Sequence, residues 1–260
     1  MTTLPPLVFI TGASSGIGQA LAARAARDGW RLALVARRGD ALRAWAAGQG
    51  LGPERCAVYE ADVQDIASIV AAGQACIAQQ GLPDVVIANA GISVGVDSAD
   101  VRDLPVFAEV LATNTTGVAA TFSPFVNPMR RRRSGRLVGI ASMAAIRGLP
   151  GHGAYCASKA AVVAYCESLR GECRGFGVQV QTLLPGYIAT PLTAKNPYRM
   201  PFLMTAEAFA DRAWRAIGAG DSYRVIPWQM AVVAKLMRVL PNALFDRLLA
   251  GRGRKPRRTH

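Results

Sequence analysis

Acidic side chains are scarce in this chain. Seventeen Asp and Glu stand against 30 Lys and Arg in 260 residues, a formal net charge of +13. Histidine is scarcer still: His152 and His260 are the only two, too few for a histidine-rich metal site. The five cysteines, Cys56, Cys76, Cys156, Cys166 and Cys173, are odd in number, loosely spaced and without a C-x-x-C pair. That argues against a disulfide framework or a zinc site and fits reduced thiols in a cytosol. No metal is expected. No run of about eighteen apolar residues occurs, so no membrane-spanning helix is expected. The apolar run Leu7–Ile10 has no positive segment before it and is too short for a secretory signal. Gly/Ser linkers, internal repeats and low-complexity tracts are missing too, so nothing divides the chain into two domains.

What is present is apolar. Hydrophobic residues make up 51% and charged residues 18%, which excludes a disordered chain. Short β-branched runs alternate with Ala-rich stretches. Strands are predicted at Leu7–Thr11, Arg31–Ala36, Cys56–Glu60, Asp84–Ala88, Arg136–Ala141, Val178–Leu184 and Ser222–Ile226. Helices are predicted at Gly16–Asp28, near Gln64–Gln80, Val101–Thr113 and Thr115–Arg133, and at Tyr155–Arg174. Repeated β-α-β units give parallel strands with helices on both faces. The expected fold is α/β: a single-domain, Rossmann-type doubly wound sheet of about seven strands over residues 1–226, with a C-terminal helical extension and basic tail at 227–260. Thr190–Thr205, with three prolines and no clear period, is expected to be a loop.

Between the first strand and first helix lies Thr11-Gly12-Ala13-Ser14-Ser15-Gly16-Ile17-Gly18. Glycines there permit a tight turn and close approach of a ligand, and the helix N-terminus offers free N–H groups to a pyrophosphate. Further motifs follow: Asp62-Val63 after the third strand, Asn89-Ala90-Gly91 after the fourth, Asn114 in the helix before the fifth and Ser142 after it. Tyr155 and Lys159 form a Y-x-x-x-K thirteen residues beyond that serine, and Pro185-Gly186, with Ile188 and Thr190 just beyond, follows the sixth strand. Across about residues 5 to 226 the chain resembles the short-chain dehydrogenase/reductase family. It departs at Ala88, where the family often has a second Asn, and at Leu184, where it often has Asn before Pro-Gly.

Reducing a ketone requires hydride delivered to carbon and a proton delivered to oxygen. Tyr155 can supply the proton if its phenol, ordinarily near pKa ~10, is lowered. Lys159 is one helical turn on and its ammonium favours the phenolate. Ser142 can donate to the substrate oxygen. By resemblance Lys159 also bonds the nicotinamide ribose, and Asn114 holds a water behind it. The dinucleotide contacts implied are Thr11, Gly12, Ser14, Ser15, Gly16, Ile17, Gly18, Asp62, Val63, Asn89, Ala90, Gly91, Tyr155, Lys159, Pro185, Gly186, Ile188 and Thr190. At the tip of the second strand stand Arg37 and Arg38 with no acid, which suits a 2′-phosphate, so NADP(H) is expected over NAD(H) with Arg37 as the main contact. Substrate walls are expected from Ile92, Ser93, Met143, Leu149, His152, Tyr187 and the loop Thr190–Thr205, which includes Tyr198, Met200, Phe202, Leu203 and Met204. They suit an apolar ketone, aldehyde or secondary alcohol.

The remaining charge is clustered. Arg130–Arg133 closes a predicted helix, where cations are favoured and a solvated helix end is expected. In the extension, Met230, Val233, Met237, Leu240, Leu244 and Leu248 recur at helical spacing across Pro241, beside Lys235, Arg238 and Arg247. Two readings stand: a helix pair packed by the active site and ending in a frayed tail, or a cationic amphipathic segment on an anionic membrane. The expectation is a cytoplasmic carbonyl reductase, with peripheral membrane association open. The resemblance implies a homodimer or homotetramer through the two long helices flanking the fifth strand. The alternatives are a dinucleotide-binding redox sensor or scaffold without turnover, against which the four-residue set Asn114, Ser142, Tyr155 and Lys159 argues, and a nucleic-acid binder, which the division of the charge among separate segments disfavours.

Overall fold

The structure is a computed structural model that describes residues 4–194, 196–251 and 253–258. His260 lies outside the described residues. The chain opens with β1 (Leu7–Thr11), α1 (Gly16–Arg27), β2 (Arg31–Ala36), α2 (Gly39–Gly48), β3 (Cys56–Glu60), α3 (Ile66–Gln80) and β4 (Val85–Ala88). There follow α4 (Leu104–Leu111), α5 (Gly117–Arg132), β5 (Gly135–Ile140), α6 (Gly153–Cys173) and β6 (Val178–Pro185). The last elements are β7 (Ile188–Ala189), β8 (Met204–Thr205), α7 (Ala206–Ala219), β9 (Tyr223–Ile226), α8 (Trp228–Val239) and α9 (Asn242–Leu249).

Seven of these strands form one parallel sheet in the order β3-β2-β1-β4-β5-β6-β9. Its strands are apolar on both faces because both are covered. All five residues of β1 are buried, and so are the four of β4. One core layer packs Phe9, Phe122, Phe125 and Leu137 against α3, α5 and α6; the other packs Ile10, Leu34, Phe209 and Ile217 against α1, α2 and α7. The order reverses between β1 and β4, and the carboxyl ends of those strands frame the crevice where α/β proteins take their ligands.

The predicted seven-stranded, doubly wound α/β fold is the one found. Several elements differ. The predicted helix from Val101 begins with a 3-10 turn, Val101–Asp103, capped by Asp100. Ala112–Thr116 is a π-helical turn between α4 and α5, so Asn114 sits on a bulge. The expected loop Thr190–Thr205 is pinned at its far end, where Met204–Thr205 pair in parallel with Ile188–Ala189. The arginines closing α5 are not simply solvated. Arg132 donates to the carbonyls of Leu82 and Pro83, Arg130 lies 5.1 Å from the Phe176 ring centroid, and Arg133 adopts the left-handed C-cap.

The extension packs on the body. Arg147 donates to the carbonyls of Met237 and Leu240 at 3.0 and 2.7 Å, and its guanidinium lies 3.9 Å from the Phe245 ring centroid. The described residues of the tail beyond α9 are fastened to the body rather than frayed. Gly95 N donates to Pro256 O at 3.0 Å, and Arg257 Nε pairs with Asp103 at 2.7 Å while its other nitrogens reach Asp97 and Asp100. Arg258 pairs with Glu109 on α4. Among the described residues, no helix is long and apolar enough to cross a membrane.

Candidate active site

The glycine turn is built by backbone demands. Gly12 has φ +66°, and a Cβ there would stand 2.7 Å from Ala90 Cα, so the turn closes on β4 only without a side chain. Gly16, at φ +56°, faces Thr190 across the cleft. Thr11 Oγ1 accepts from Asn89 N and Ala90 N at 3.1 and 3.3 Å, and Asn89 Nδ2 donates back to Thr11 O and Gly12 O. These bonds lock the β1 turn to the end of β4. Ser15, the N-cap of α1, makes no side-chain capping bond, which leaves the first N–H groups of that helix free for an anion.

A cleft runs from this turn along the carboxyl ends of the sheet. Its walls include Ser14 to Ile17 at the helix N-terminus, Arg37 and Arg38 at one end, and Ser142, Tyr155 and Lys159 at the other. Glu60, the acid nearest the β2 tip in register, does not line it; Arg43 holds Glu60 in an ion pair. Asp62 does line it, 3.8 Å from Arg37. Bare glycine backbone, an uncapped helix end and a cationic rim fit an extended phosphate-bearing ligand such as a dinucleotide.

A second cavity, about 190 Å³, opens beyond Tyr155. Ser142 and Tyr155 line both spaces. Ser142 Oγ accepts from Ala144 N at 3.1 Å, fixing the turn after β5, and bonds the Tyr155 hydroxyl. Lys159 is buried; its Nζ donates to Ile140 O at 2.8 Å and lies 5.9 Å from the Tyr155 ring centroid. Burial pulls the Lys159 ammonium down to about 8. Burial also pushes the Tyr155 phenol above its ordinary value, and only the Ser142 bond opposes that. The Ile140 carbonyl takes one of the three ammonium donors of Lys159.

The profile of the short chain dehydrogenase family matches residues 6–200. An uncharacterized oxidoreductase of Myxococcus xanthus is 40% identical over 92% of this chain and 94% of its own. The chain is a short-chain dehydrogenase/reductase. Mouse 17-beta-hydroxysteroid dehydrogenase type 1 is 38% identical over 74% of this chain, which spans 56% of that enzyme's length. Among solved structures, an alcohol dehydrogenase of Thermococcus sibiricus complexed with 5-hydroxy-NADP superposes with TM-score 0.76 at 27% identity, covering 85% of this chain and 95% of its own. Levodione reductase superposes with TM-score 0.76 at 26% identity over 87% of this chain and 98% of its own. The chain is thus an oxidoreductase of a family that binds a nicotinamide dinucleotide and acts on small molecules.

In this short-chain dehydrogenase, the expected dinucleotide residues line the cleft with two exceptions. Thr11 is buried beneath the turn, and Gly18 faces inward, where a Cβ would meet Gly12 O at 2.3 Å. Both shape the turn without facing the cleft. Asn114 is also withdrawn: its Nδ2 donates to Ile92 O and Ser158 Oγ, each at 2.9 Å, and its Oδ1 accepts from Ile92 N. Its side chain ties the segment after β4 to α6. Of the expected substrate residues, Ser93, Met143, Leu149, His152 and Tyr187 line the apolar cavity. Ile92 lines the dinucleotide cleft instead. Met200 lines neither; its sulfur accepts from Asn196 Nδ2, and Tyr198 and Pro201 take the wall. Tyr198 is held there by His152, whose Nε2 is 3.1 Å from its hydroxyl.

Sequence reasoning did not assign Thr113 in the cleft; Leu192 and Thr193, within the loop expected to form a wall, line both spaces. It also missed Lys255, which enters the apolar cavity from the tail. Met230, Val233 and Met237 do line that cavity, so the helical stripe read in the extension faces the site. All five cysteines are free and buried; burial pushes Cys56 and Cys166 up to about 11, which keeps them inert thiols.

Proposed function

We propose that this short-chain dehydrogenase interconverts a lipophilic ketone or aldehyde and its alcohol with NADP(H), and that Tyr155 is the general acid/base. The observation that carries this reading is the position of Tyr155 and Ser142 on the wall shared by the dinucleotide cleft and the apolar cavity. The bound cofactor supplies the hydride. Ser142 orients the Tyr155 hydroxyl and can donate to the substrate oxygen, and Tyr155 gives or takes the proton there. Lys159 fixes the ribose side of the site and keeps a positive charge behind the phenol. Asn114 acts through position, holding Ile92 and Ser158 around that lysine.

NADP(H) is preferred because Arg37 and Arg38 meet the end of the cleft, Arg43 holds Glu60 away from it, and the one acid that lines it there, Asp62, lies beside Arg37. The relative crystallised with an NADP analogue is in keeping with this. The hydroxysteroid dehydrogenase among the relatives, and the mostly apolar cavity walls, support a lipophilic substrate. Residues 1–226 form the catalytic unit, and 227–260 close its substrate side. Helix α6 presents Ala157, Ala160 and Ala164 outward, small enough for a second copy to approach in a homodimer or homotetramer. Steady-state kinetics with a carbonyl panel and both cofactors test the assignment. NADPH is expected to give the higher kcat/KM, and Arg37→Ala with Arg38→Ala should lower that value by roughly 10-fold or more while sparing NADH. A wild-type preference for NADH would reverse the cofactor assignment.

A further inference from the structure

The C-terminal tail crosses the mouth of the apolar cavity as a strap. Pro256 O accepts from Gly95 N, and Arg257 is seated among Asp97, Asp100 and Asp103. A Cβ on Gly95 would stand 2.1 Å from Lys255 O, so the strap lies directly on bare backbone. Between these fastenings Lys255 turns inward. It is 8% exposed, lines the cavity, and its Nζ donates to Leu192 O at 3.1 Å.

An ammonium has three donors and a full charge. Here the neighbourhood is Met143, Leu149, Tyr187, Met230 and Met237, and no Asp or Glu is among the described lining residues. Buried charges in apolar surroundings are ordinarily paired. The acids nearest in sequence to the strap's contact point are already held by Arg257, so they leave Lys255 without a carboxylate.

We propose that Lys255 is a specificity residue that pairs with a carboxylate at the far end of the substrate, so that the preferred substrate is a lipophilic carbonyl or hydroxy acid. This deepens the oxidoreductase reading and rests on it for the identity of the reacting end. The apolar walls take the body of the molecule, Tyr155 and Ser142 face its carbonyl, and Lys255 receives its anionic end. A Lys ammonium suits one carboxylate as a point charge, without the planar fork that Arg would impose.

Binding separates this claim from turnover. Calorimetry of decanoate and of decanol to the full-length protein is compared for wild type, Lys255→Met, Lys255→Arg and Gly95→Val. Decanoate affinity is expected to fall by roughly 10-fold or more in Lys255→Met and to recover within about three-fold in Lys255→Arg. Gly95→Val, which displaces the strap and leaves Lys255 intact, should weaken decanoate in parallel. Decanol should shift far less in Lys255→Met than decanoate does. Equal loss of both ligands would reduce Lys255 to a structural anchor and overturn the proposal, as would decanoate binding that is absent or unchanged across all four proteins. Failure of the oxidoreductase reading would show instead as no NADPH oxidation with neutral or acidic ketones, whatever the calorimetry gives.

Discussion

Lys159 and Tyr155 sit together yet titrate away from each other. Each is moved by burial toward its neutral form: the ammonium down to about 8 and the phenol upward. The Tyr155 phenol is thus held in its protonated form. The lysine has a stability consequence. Between about 8 and its ordinary value of 10.5, the unfolded chain binds a proton at this position that the folded chain does not. Stability from this group therefore rises with pH in that window. Tyr155 acts oppositely only near and above its ordinary phenol range, and comparison with a variant that lacks the lysine cancels the buried thiols that also titrate between pH 8 and about 10. Urea denaturation of wild type and Lys159→Met should diverge across that window, with wild type gaining about 2 kcal/mol relative to the variant. A pH-independent difference would mean that Lys159 is not desolvated as described.

Element by element, the strands were legible because each is a short, buried β-branched run between turn signals. The motifs were legible for the same reason, since the end of a strand is where this topology puts its ligands. Helices α2 and α7 were not read, because Ala-rich segments such as Ala206–Ala219 carry only a weak local signal and are set by packing on the sheet. The β7–β8 pair was invisible because two residues per strand have no period. Asn114 was placed in the right element but its π-helical turn has no local signature. Lys255 could not be read at all, since only the tertiary path of the tail brings it to the cavity. The extension's stripe at Met230, Val233 and Met237 faced inward, yet α8 carries a second apolar face. Trp228, Val232, Leu236 and Val239 recur at helical spacing and are exposed, beside Lys235 and Arg238. The membrane reading of the extension, if it holds, would rest on that face. Full-length protein should pellet with phosphatidylserine vesicles at low salt, and Trp228→Ser with Leu236→Ser should not. Equal pelleting of both would remove the membrane role.

At the scale of the whole molecule, the +13 charge resolves into separate tasks. Arg37 and Arg38 rim the cleft, Arg130 and Arg132 fasten the end of α5, and Arg257 and Arg258 buckle the tail to α4 and the loop before it. The two buckles differ in burial. Arg258–Glu109 is exposed and contributes little, about 0–1 kcal/mol. Arg257 faces the buried Asp103, and removing it takes away the cation closest to that carboxylate. Arg257→Ala should thus lower the melting temperature by roughly 2–6 °C and Arg258→Ala by much less; equal shifts would mean that the strap is not held through Asp103. On the proposed function, the body of the molecule and its tail serve one site, with hydride chemistry on one side of Tyr155 and substrate recognition on the other. The most direct test of that account is NADPH oxidation with the carbonyl panel by wild type and Tyr155→Phe. The variant should keep its melting temperature and NADPH affinity while kcat falls about 10²–10⁴-fold. A Tyr155→Phe enzyme that turns over as fast as wild type would contradict it.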